Sequence, residues 1–196
     1  MADTKIDFNK IKMISGENKF KDYFNEIAQR YDKESSRGVV ILVNDLFNVM
    51  LAELLIRRLV NNEKLIRELA DIDRITLEVK IKLCYLSGIL SYDEYDDLLN
   101  INKIRNRFAH VKQIKRIDSL SIIKNFEDSE VASLVKSLKI QEKIKTLPYL
   151  NFKKSDTRQK FIMATSVLFL YLHDRLAKIV RISEYRYEAN QGASRI

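Results

Sequence analysis

The scarcity of residues that interrupt a helix is the strongest constraint on the fold of this chain. Its 196 residues contain one proline, Pro148, and only four glycines. β-Sandwiches and β-barrels need frequent glycine and proline turns, and the alternation of apolar and polar residues that marks a strand is nowhere sustained. Hydrophobic residues make up 46% of the chain, which is enough to bury a core. The sequence therefore predicts an all-α, single-domain helical bundle.

Helical periodicity and cap residues place the predicted helices along the chain. The serines at positions 35–36 precede a long helix that is apolar on most sides, which predicts the central element of the core. Gly88 can end a helix in the left-handed conformation, and Ser91 with Glu94 forms a capping box for the next helix. Pro148 separates the last two helices. The predicted helices cover about residues 19–33, 37–60, 63–69, 76–87, 91–110, 129–143 and 155–185; residues 1–18 form a polar arm, residues 19–187 the helical domain and residues 188–196 a flexible tail.

The charge of the chain is unevenly distributed. The formal net charge is +8, yet residues 1–97 carry a net −3 and residues 98–196 a net +11. A basic half of this kind favours a polyanionic partner such as a nucleic acid. A basic, soluble surface without such a partner is an equally open interpretation of the charge alone.

The cysteine, histidine and glycine content limits which disulfides, metal sites and nucleotide-binding loops the chain can form. Cys84 is the only cysteine and has apolar neighbours, which excludes an intrachain disulfide and indicates a buried thiol in a reducing cytoplasm. The two histidines and Cys84 lie far apart in the sequence, and no glycine-rich phosphate loop is present. The N-terminus lacks the apolar segment of a signal peptide, and the longest apolar stretch, residues 161–172, is too short to span a membrane. We therefore expect a cytoplasmic protein with no metal, no cofactor and no membrane contact.

One stretch, residues 103–110, combines a histidine with concentrated positive charge. It reads Lys-Ile-Arg-Asn-Arg-Phe-Ala-His, and residues 98–117 contain no acid. Asn106 and His110 are four residues apart and share a helical face. Arg105 lies roughly 140° from His110 on an ideal helix, so the two meet through a frayed helix end, the length of the arginine or a second copy of the helix. The basic residues that we expect to attract a nucleic acid here are Lys103, Arg107, Lys112, Lys115 and Arg116.

These residue types suit cleavage of RNA without a metal. A neutral His110 can remove the proton of a 2′-hydroxyl group, and a protonated one can donate a proton to the departing 5′-oxygen. Arg105 can stabilise charge on the phosphate oxygens, with Asn106 positioning either group. One histidine per chain supplies half of an acid–base pair, and a dimer supplies both halves. The ordinary alternative is a helix end whose basic residues and histidine only satisfy its carbonyl groups.

Three polar residues on the predicted helix 37–60 are further candidates for this site. Asp45, Asn48 and Glu53 interrupt an otherwise apolar surface. They either orient Arg105 or His110 from the core, or they pair with other polar groups there.

The motif and its flanks resemble known families. Arg105-Asn106-x-x-x-His110 matches the R-N-x-x-x-H pattern of HEPN domains. An ordered series over roughly residues 20–180 is more closely similar to the mannitol operon repressor (MltR-like) family. Its pieces are Glu34-Ser-Ser-Arg37-Gly38, Leu51-Ala-Glu53-Leu54-Leu55, Ile81-Lys-Leu83-Cys-Tyr85-Leu86-Ser-Gly88-Ile89-Leu90, Lys103-Ile-Arg105-Asn106-Arg107-Phe108-Ala109-His110 and Arg158-Gln-Lys-Phe161 with its apolar helix.

The resemblance implies an all-helical homodimer in which Arg105, Asn106 and His110 face their symmetry copies across the dimer axis. Many HEPN domains are metal-independent ribonucleases of toxin–antitoxin, phage-defence or CRISPR systems, which implies an RNA substrate and an antitoxin or regulatory protein as partner. The repressor family implies instead a non-enzymatic regulator that acts through protein partners, because the acidic start of the predicted helix 91–110 does not suit a DNA recognition helix. A nucleic-acid-binding module without cleavage is a third interpretation.

Overall fold

The described part of the protein is built almost entirely from helices. A computed structural model describes residues 33–59, 75–109, 125–146 and 152–182, and 77% of these residues are helical. No strand occurs within these four segments, so the predicted all-α class is confirmed. The helices are α1 (Ser36–Arg58), α2 (Leu77–Leu86), α3 (Tyr92–Ala109), α4 (Ser129–Lys136), α5 (Ile140–Ile144) and α6 (Thr157–Lys178), with a 3₁₀ turn at Phe152–Lys154.

Helix α1 is the central element, as predicted. The Ser35 hydroxyl accepts a hydrogen bond from the Gly38 N–H at 3.0 Å and caps the first turn. Helices α2, α3 and α6 all pack against α1, and Phe47 and Leu51 on it have no exposed surface. By length and composition α1 alone among the described helices could cross a membrane, and 67% of its most apolar window is buried inside the protein. The core helix of a soluble protein has the same properties.

A tight turn joins α2 to α3. Thr76 caps α2, and Gly88 follows the helix with a φ of +68°, the left-handed conformation that the sequence predicts. The predicted capping box is also present. The Ser91 N–H donates to Glu94 Oε2 at 2.8 Å, and the Glu94 N–H donates to Ser91 Oγ at 3.3 Å. These contacts fix the first turn of α3.

A buried ion pair ties the start of α3 to α6. Arg175 donates from Nη1 and Nη2 to the two carboxylate oxygens of Glu94 at 2.7 and 2.8 Å, and Nη1 also donates to the Ile89 carbonyl. The Glu94 side chain is only 6% exposed. Burial by itself raises the pKa of Glu94, but the hydrogen bonds from Arg175 and Ser91 outweigh it and hold that pKa below its ordinary value.

The single helix predicted over residues 129–143 is wrong, because this segment forms two helices, α4 and α5. Ser137 ends α4, and its hydroxyl donates to the Leu134 carbonyl at 2.8 Å. The carboxylate of Asp97 then accepts the N–H groups of Lys139 and Ile140 at 2.6 and 2.8 Å. Helix α4 does not continue into α5, since those N–H groups bond to a carboxylate of α3 instead of to carbonyls of α4.

Helix α6 is present as predicted, but it ends earlier. It starts with a capping box formed by Asp156 and Gln159. It ends at Lys178, whereas the sequence analysis extended it to residue 185. The chain then passes the end of α1, where the Ile182 N–H donates to the Arg58 carbonyl at 2.8 Å. This hydrogen bond to another helix replaces the next turn of α6.

An aromatic series anchors the C-terminal end of α3. The ring centroids of Phe108 and Phe126 are 5.3 Å apart, and those of Phe126 and Phe161 are 5.1 Å apart. All three side chains are buried, and they connect α3, the segment before α4, and α6. Because Phe108 lies in the last turn of α3, this contact fixes which side of that turn faces solvent.

Several predicted segments lie outside the described residues. They are the arm over residues 1–18, nearly all of the helix predicted at 19–33, the helix predicted at 63–69, and the tail over residues 188–196. The predicted limits of the helical domain, residues 19 and 187, also lie outside them.

Asp97 makes the stability of the fold depend on pH. Burial raises the pKa of Asp97 to about 6 against an ordinary value of 3.8, although two backbone N–H groups partly offset the rise. The folded protein therefore binds this proton more tightly than the unfolded chain, and the free energy of unfolding falls as pH rises from about 4 to about 6. The loss is about 3 kcal/mol for a shift of roughly two pKa units.

Urea unfolding at several pH values checks this prediction. Asp97→Asn does not titrate, so the wild type should lose stability relative to this variant between pH 4 and 6. A difference between the two proteins that stays constant across this range would contradict the raised pKa.

Candidate functional site

The last turns of α3 carry the basic motif on the outer side of the helix. Lys103 and Arg107 are exposed, and Arg105 and Asn106 are half-buried. The apolar residues of the same helix face the core and are at most 2% exposed: Leu98, Ile101, Ile104 and Phe108. Their spacing of three and four residues turns the intervening polar residues toward solvent.

Arg105 has polar neighbours on two helices. Its Nη1 donates to Asn106 Oδ1 at 3.2 Å. On α1, partial burial raises the pKa of the Asp45 carboxyl, and the positive charge of Arg105 opposes that rise. The structure thus places Arg105 and Asn106 in direct contact, and the charge of Arg105 acts on Asp45 of α1.

The other two candidates on α1 have partners elsewhere. Asn48 is buried, and its Oδ1 accepts a hydrogen bond from the fully buried Lys80 Nζ at 2.8 Å. Glu53 forms an ion pair with Arg57 one helical turn away, at 2.8 Å. For these two residues the structure shows the pairing with other polar groups that the sequence left open as an alternative.

An open groove lies beside the motif, between α3 and α4. It has a volume of about 530 Å³. One wall is basic and comes from α3, with Lys103 and Arg107 beside the Asn106 amide. The opposite wall comes from α4 and consists of Ser129, Glu130, Ser133 and Leu134. The Asn106 side chain belongs both to the groove and to the hydrogen bond with Arg105, so the groove starts next to the arginine.

An ion pair between described residues crosses the groove. Arg107 Nη1 lies 2.9 Å from Glu130 Oε2, and both side chains are about half exposed, at 52% and 53%. Asp128 caps the first turn of α4 by accepting the N–H groups of Glu130 and Val131 at 3.1 and 3.3 Å. That cap holds the backbone of Glu130 in place, whereas its side chain is about half exposed to solvent.

The α4 wall of the groove was not predicted from the sequence. Glu130 and the two serines lie about twenty residues after the motif, and nothing in their local pattern connects them with Arg105. The only local signal is the four-residue spacing of Ser129 and Ser133, which puts both hydroxyls on one helical face.

Part of the predicted site lies outside the described residues. His110 directly follows Ala109, the last residue of α3. His110, Lys112, Lys115 and Arg116 are not described. Within the segments that are described, no cluster of three histidine, cysteine, aspartate or glutamate side chains could hold a metal ion.

No family model, curated protein or solved structure matches this chain. The resemblance to HEPN domains and to the mannitol operon repressor family therefore rests on the sequence motifs themselves.

The proximity of Arg105 and Asp45 can be tested by titration. Replacing Arg105 with Gln removes the positive charge that opposes the rise in the Asp45 pKa, so that pKa should move further up. Carboxyl carbon NMR shifts measured against pH report the change. Arg107→Gln removes an equal charge from the groove side of α3 and should have a smaller effect. Equal titration of Asp45 in the wild type and in Arg105→Gln would show that the two groups are not neighbours.

Proposed function

We propose that this protein is a metal-independent endoribonuclease of the HEPN type, acting in a toxin or defence system. The observation that carries the proposal is the setting of Arg105. It is half-buried, bonds to Asn106, adjoins an open groove with a basic wall, and lies on the helix that leads directly to His110. Cleavage of a phosphodiester without a metal needs this combination of a cationic contact to the phosphate and a group that titrates near neutral pH.

The proposed reaction is an internal transfer at phosphorus. His110 takes the proton of a 2′-hydroxyl group, whose oxygen attacks the adjacent phosphorus while the bond from phosphorus to the 5′-oxygen breaks. An imidazolium protonates the departing 5′-oxygen, which gives a 2′,3′-cyclic phosphate and a 5′-hydroxyl. Arg105 binds the phosphate oxygens, and its hydrogen bond to Asn106 limits the positions that the guanidinium can take. Lys103 and Arg107 attract the RNA backbone.

The proposed enzyme is a homodimer, because the single motif histidine of each chain, His110, supplies only half of the acid–base pair. An exposed apolar site on α1 supports this arrangement. Ile41 and Leu42 are 39% and 38% exposed, and they precede Asp45, the neighbour of Arg105, by about one helical turn. Contact between two copies at this position would bury those side chains and bring the two motifs together.

A charged residue in that contact should separate the dimer. Leu42→Glu would bury an unpaired carboxylate in the interface, so we expect it to be monomeric in light scattering at concentrations where the wild type has the mass of two chains. Val180→Glu is the control, because Val180 is even more exposed, at 72%, and lies after α6. A wild type that is monomeric at every concentration would contradict the proposed dimer.

RNA cleavage in EDTA tests the enzymatic proposal. We expect the wild type to cleave total cellular RNA, and His110→Ala to be slower by about 10²- to 10⁴-fold. His173→Ala is the matched control, because His173 lies near Arg57, which is about 18 Å further along α1 than Asp45. The products should resist phosphatase until acid opens the cyclic phosphate.

Two results would contradict the proposed mechanism. Equal cleavage by the wild type and by His110→Ala would assign the activity to a contaminant. Activity that vanishes in EDTA and returns with Mg²⁺ would require a metal-dependent reaction.

A second candidate function is a non-enzymatic regulator that works through a protein partner. An exposed aromatic cluster favours it. The rings of Tyr85, Tyr92 and Tyr95 have centroids 4.7 to 6.3 Å apart, and the adjacent Leu86 is 78% exposed. Exposed apolar side chains that cluster in this way mark protein contacts. RNA that stays intact with the wild type, and regulation that survives His110→Ala, would favour this function.

We further propose a cytoplasmic location. The free thiol of Cys84 is buried, and its pKa is raised to about 12 by burial. The burial of two thirds of the apolar window of α1 supports a soluble protein.

A further inference from the structure

The groove between α3 and α4 has the features of a nucleotide subsite. Its volume of about 530 Å³ lies within the range of small-molecule sites, which is about 300 to 1,000 Å³. One wall carries two cationic side chains, and the other carries two hydroxyls, a carboxylate and the half-buried Leu134. A phosphate suits the first wall, while the apolar face and polar edge of a nucleobase suit the second.

The position of the groove fixes which nucleotide it would take. The Asn106 side chain lines the groove and also accepts the hydrogen bond from Arg105. If Arg105 binds the phosphate that is cleaved, a base in the groove belongs to a nucleotide next to that phosphate.

The ion pair across the groove is exposed and weak. Arg107 and Glu130 are each about half exposed, and an ion pair of this kind contributes only about 0.2–1 kcal/mol. An RNA strand offers both residues a better partner, because the phosphate attracts Arg107 and a base with N–H donors attracts Glu130.

The carboxylate of Glu130 distinguishes among the four bases. Guanine alone presents two adjacent N–H donors, at N1 and at the 2-amino group, and a carboxylate accepts both through its two oxygens. Uracil places a carbonyl on each side of its single N–H donor, which repels a carboxylate. Adenine and cytosine each offer one amino group beside an unprotonated ring nitrogen. The hydroxyls of Ser129 and Ser133, on the same wall, can donate to the guanine O6.

We infer that this groove binds a guanine base next to the cleaved phosphate and that Glu130 is the residue that selects it. The inference rests on the proposed function, since it assumes that RNA lies across Arg105. It assigns the two helices different tasks, with α3 holding the phosphate and α4 reading the base.

Binding of uncleavable oligonucleotides tests the selection. The probes are fluorescein-labelled 2′-fluoro hexanucleotides, which lack the attacking hydroxyl: six uridines, and the same strand with one internal guanosine, adenosine, cytidine or inosine. Fluorescence anisotropy with the wild-type protein should show the guanosine strand binding about 10-fold more tightly than the uridine strand, since a bidentate contact to a base contributes about 1–3 kcal/mol of discrimination. Inosine lacks only the 2-amino group and should lose most of this preference.

Two variants assign the preference to Glu130. Glu130→Gln replaces one acceptor oxygen with a donor and should bind the guanosine and uridine strands equally. Glu127→Gln removes the same charge from an exposed position outside the groove and should keep the preference. A preference for guanosine that survives Glu130→Gln, or equal binding of all strands by the wild type, would overturn the inference.

The binding experiment, taken together with the cleavage assay in EDTA, separates this inference from the proposed function. Cleavage of total RNA by a protein that binds the guanosine and uridine strands equally would leave the ribonuclease proposal intact and overturn the guanine subsite alone. The absence of both cleavage and binding at low salt would overturn both.

Discussion

The ion pair between Glu94 and Arg175 is the interaction on which the position of the candidate site depends. Glu94 is almost fully buried and serves two purposes, since it closes the capping box of α3 and accepts both arms of a guanidinium from α6. Removing one partner of a buried pair leaves an uncompensated charge, which costs about 3–5 kcal/mol. The first turn of α3 is therefore fixed both by the capping box with Ser91 and by the ion pair with α6. A rigid helix of 18 residues transmits that constraint over about 27 Å to its other end.

The two ends of α3 have opposite charge and opposite roles. The acids at its start lie near the positive end of the helix dipole and include the buried Glu94 and Asp97, while the basic residues lie at its last turns and stay accessible. The Phe108–Phe126 contact holds the far end on its apolar side only. Arg105 is thus presented to solvent by a helix whose other side is fully packed. A cationic group stabilises a phosphate most effectively when a rigid support of this kind already holds it in position, because no reorganisation is then needed.

The sequence predicted the helix ends that are determined by residues close to them in the chain. Ser35, Gly88 and the Ser91–Glu94 box act within four residues of the helix ends that they define; the sequence predicts Gly88 and the box, and it narrows the cap of α1 to Ser35 or Ser36. The break between α4 and α5 could not be predicted, because its cause is the Asp97 carboxylate on another helix. The early end of α6 has the same kind of cause, a hydrogen bond to the end of α1. In the site, the pairing of the adjacent Arg105 and Asn106 could be predicted from their positions in the motif. Which α1 residue is affected by Arg105, Asp45 and not Asn48 or Glu53, depends on how α1 packs against α3 and α2.

The separation of the two walls of the groove has a consequence for how such a site can change. On α4, Val131 and Val135 face the core, while Ser129, Glu130 and Ser133 face the groove. Substitutions on the groove side therefore alter what the wall can bind without opening a cavity in the core, and exposed positions of this kind change stability by only about 0.5 kcal/mol. On α3, by contrast, the polar motif is interleaved with Ile104 and Phe108, so its geometry is tied to packing. The physical constraints therefore keep α3 fixed and leave the groove side of α4 free to vary; if the groove binds RNA as proposed, this arrangement would let one chemistry be applied to different sequences.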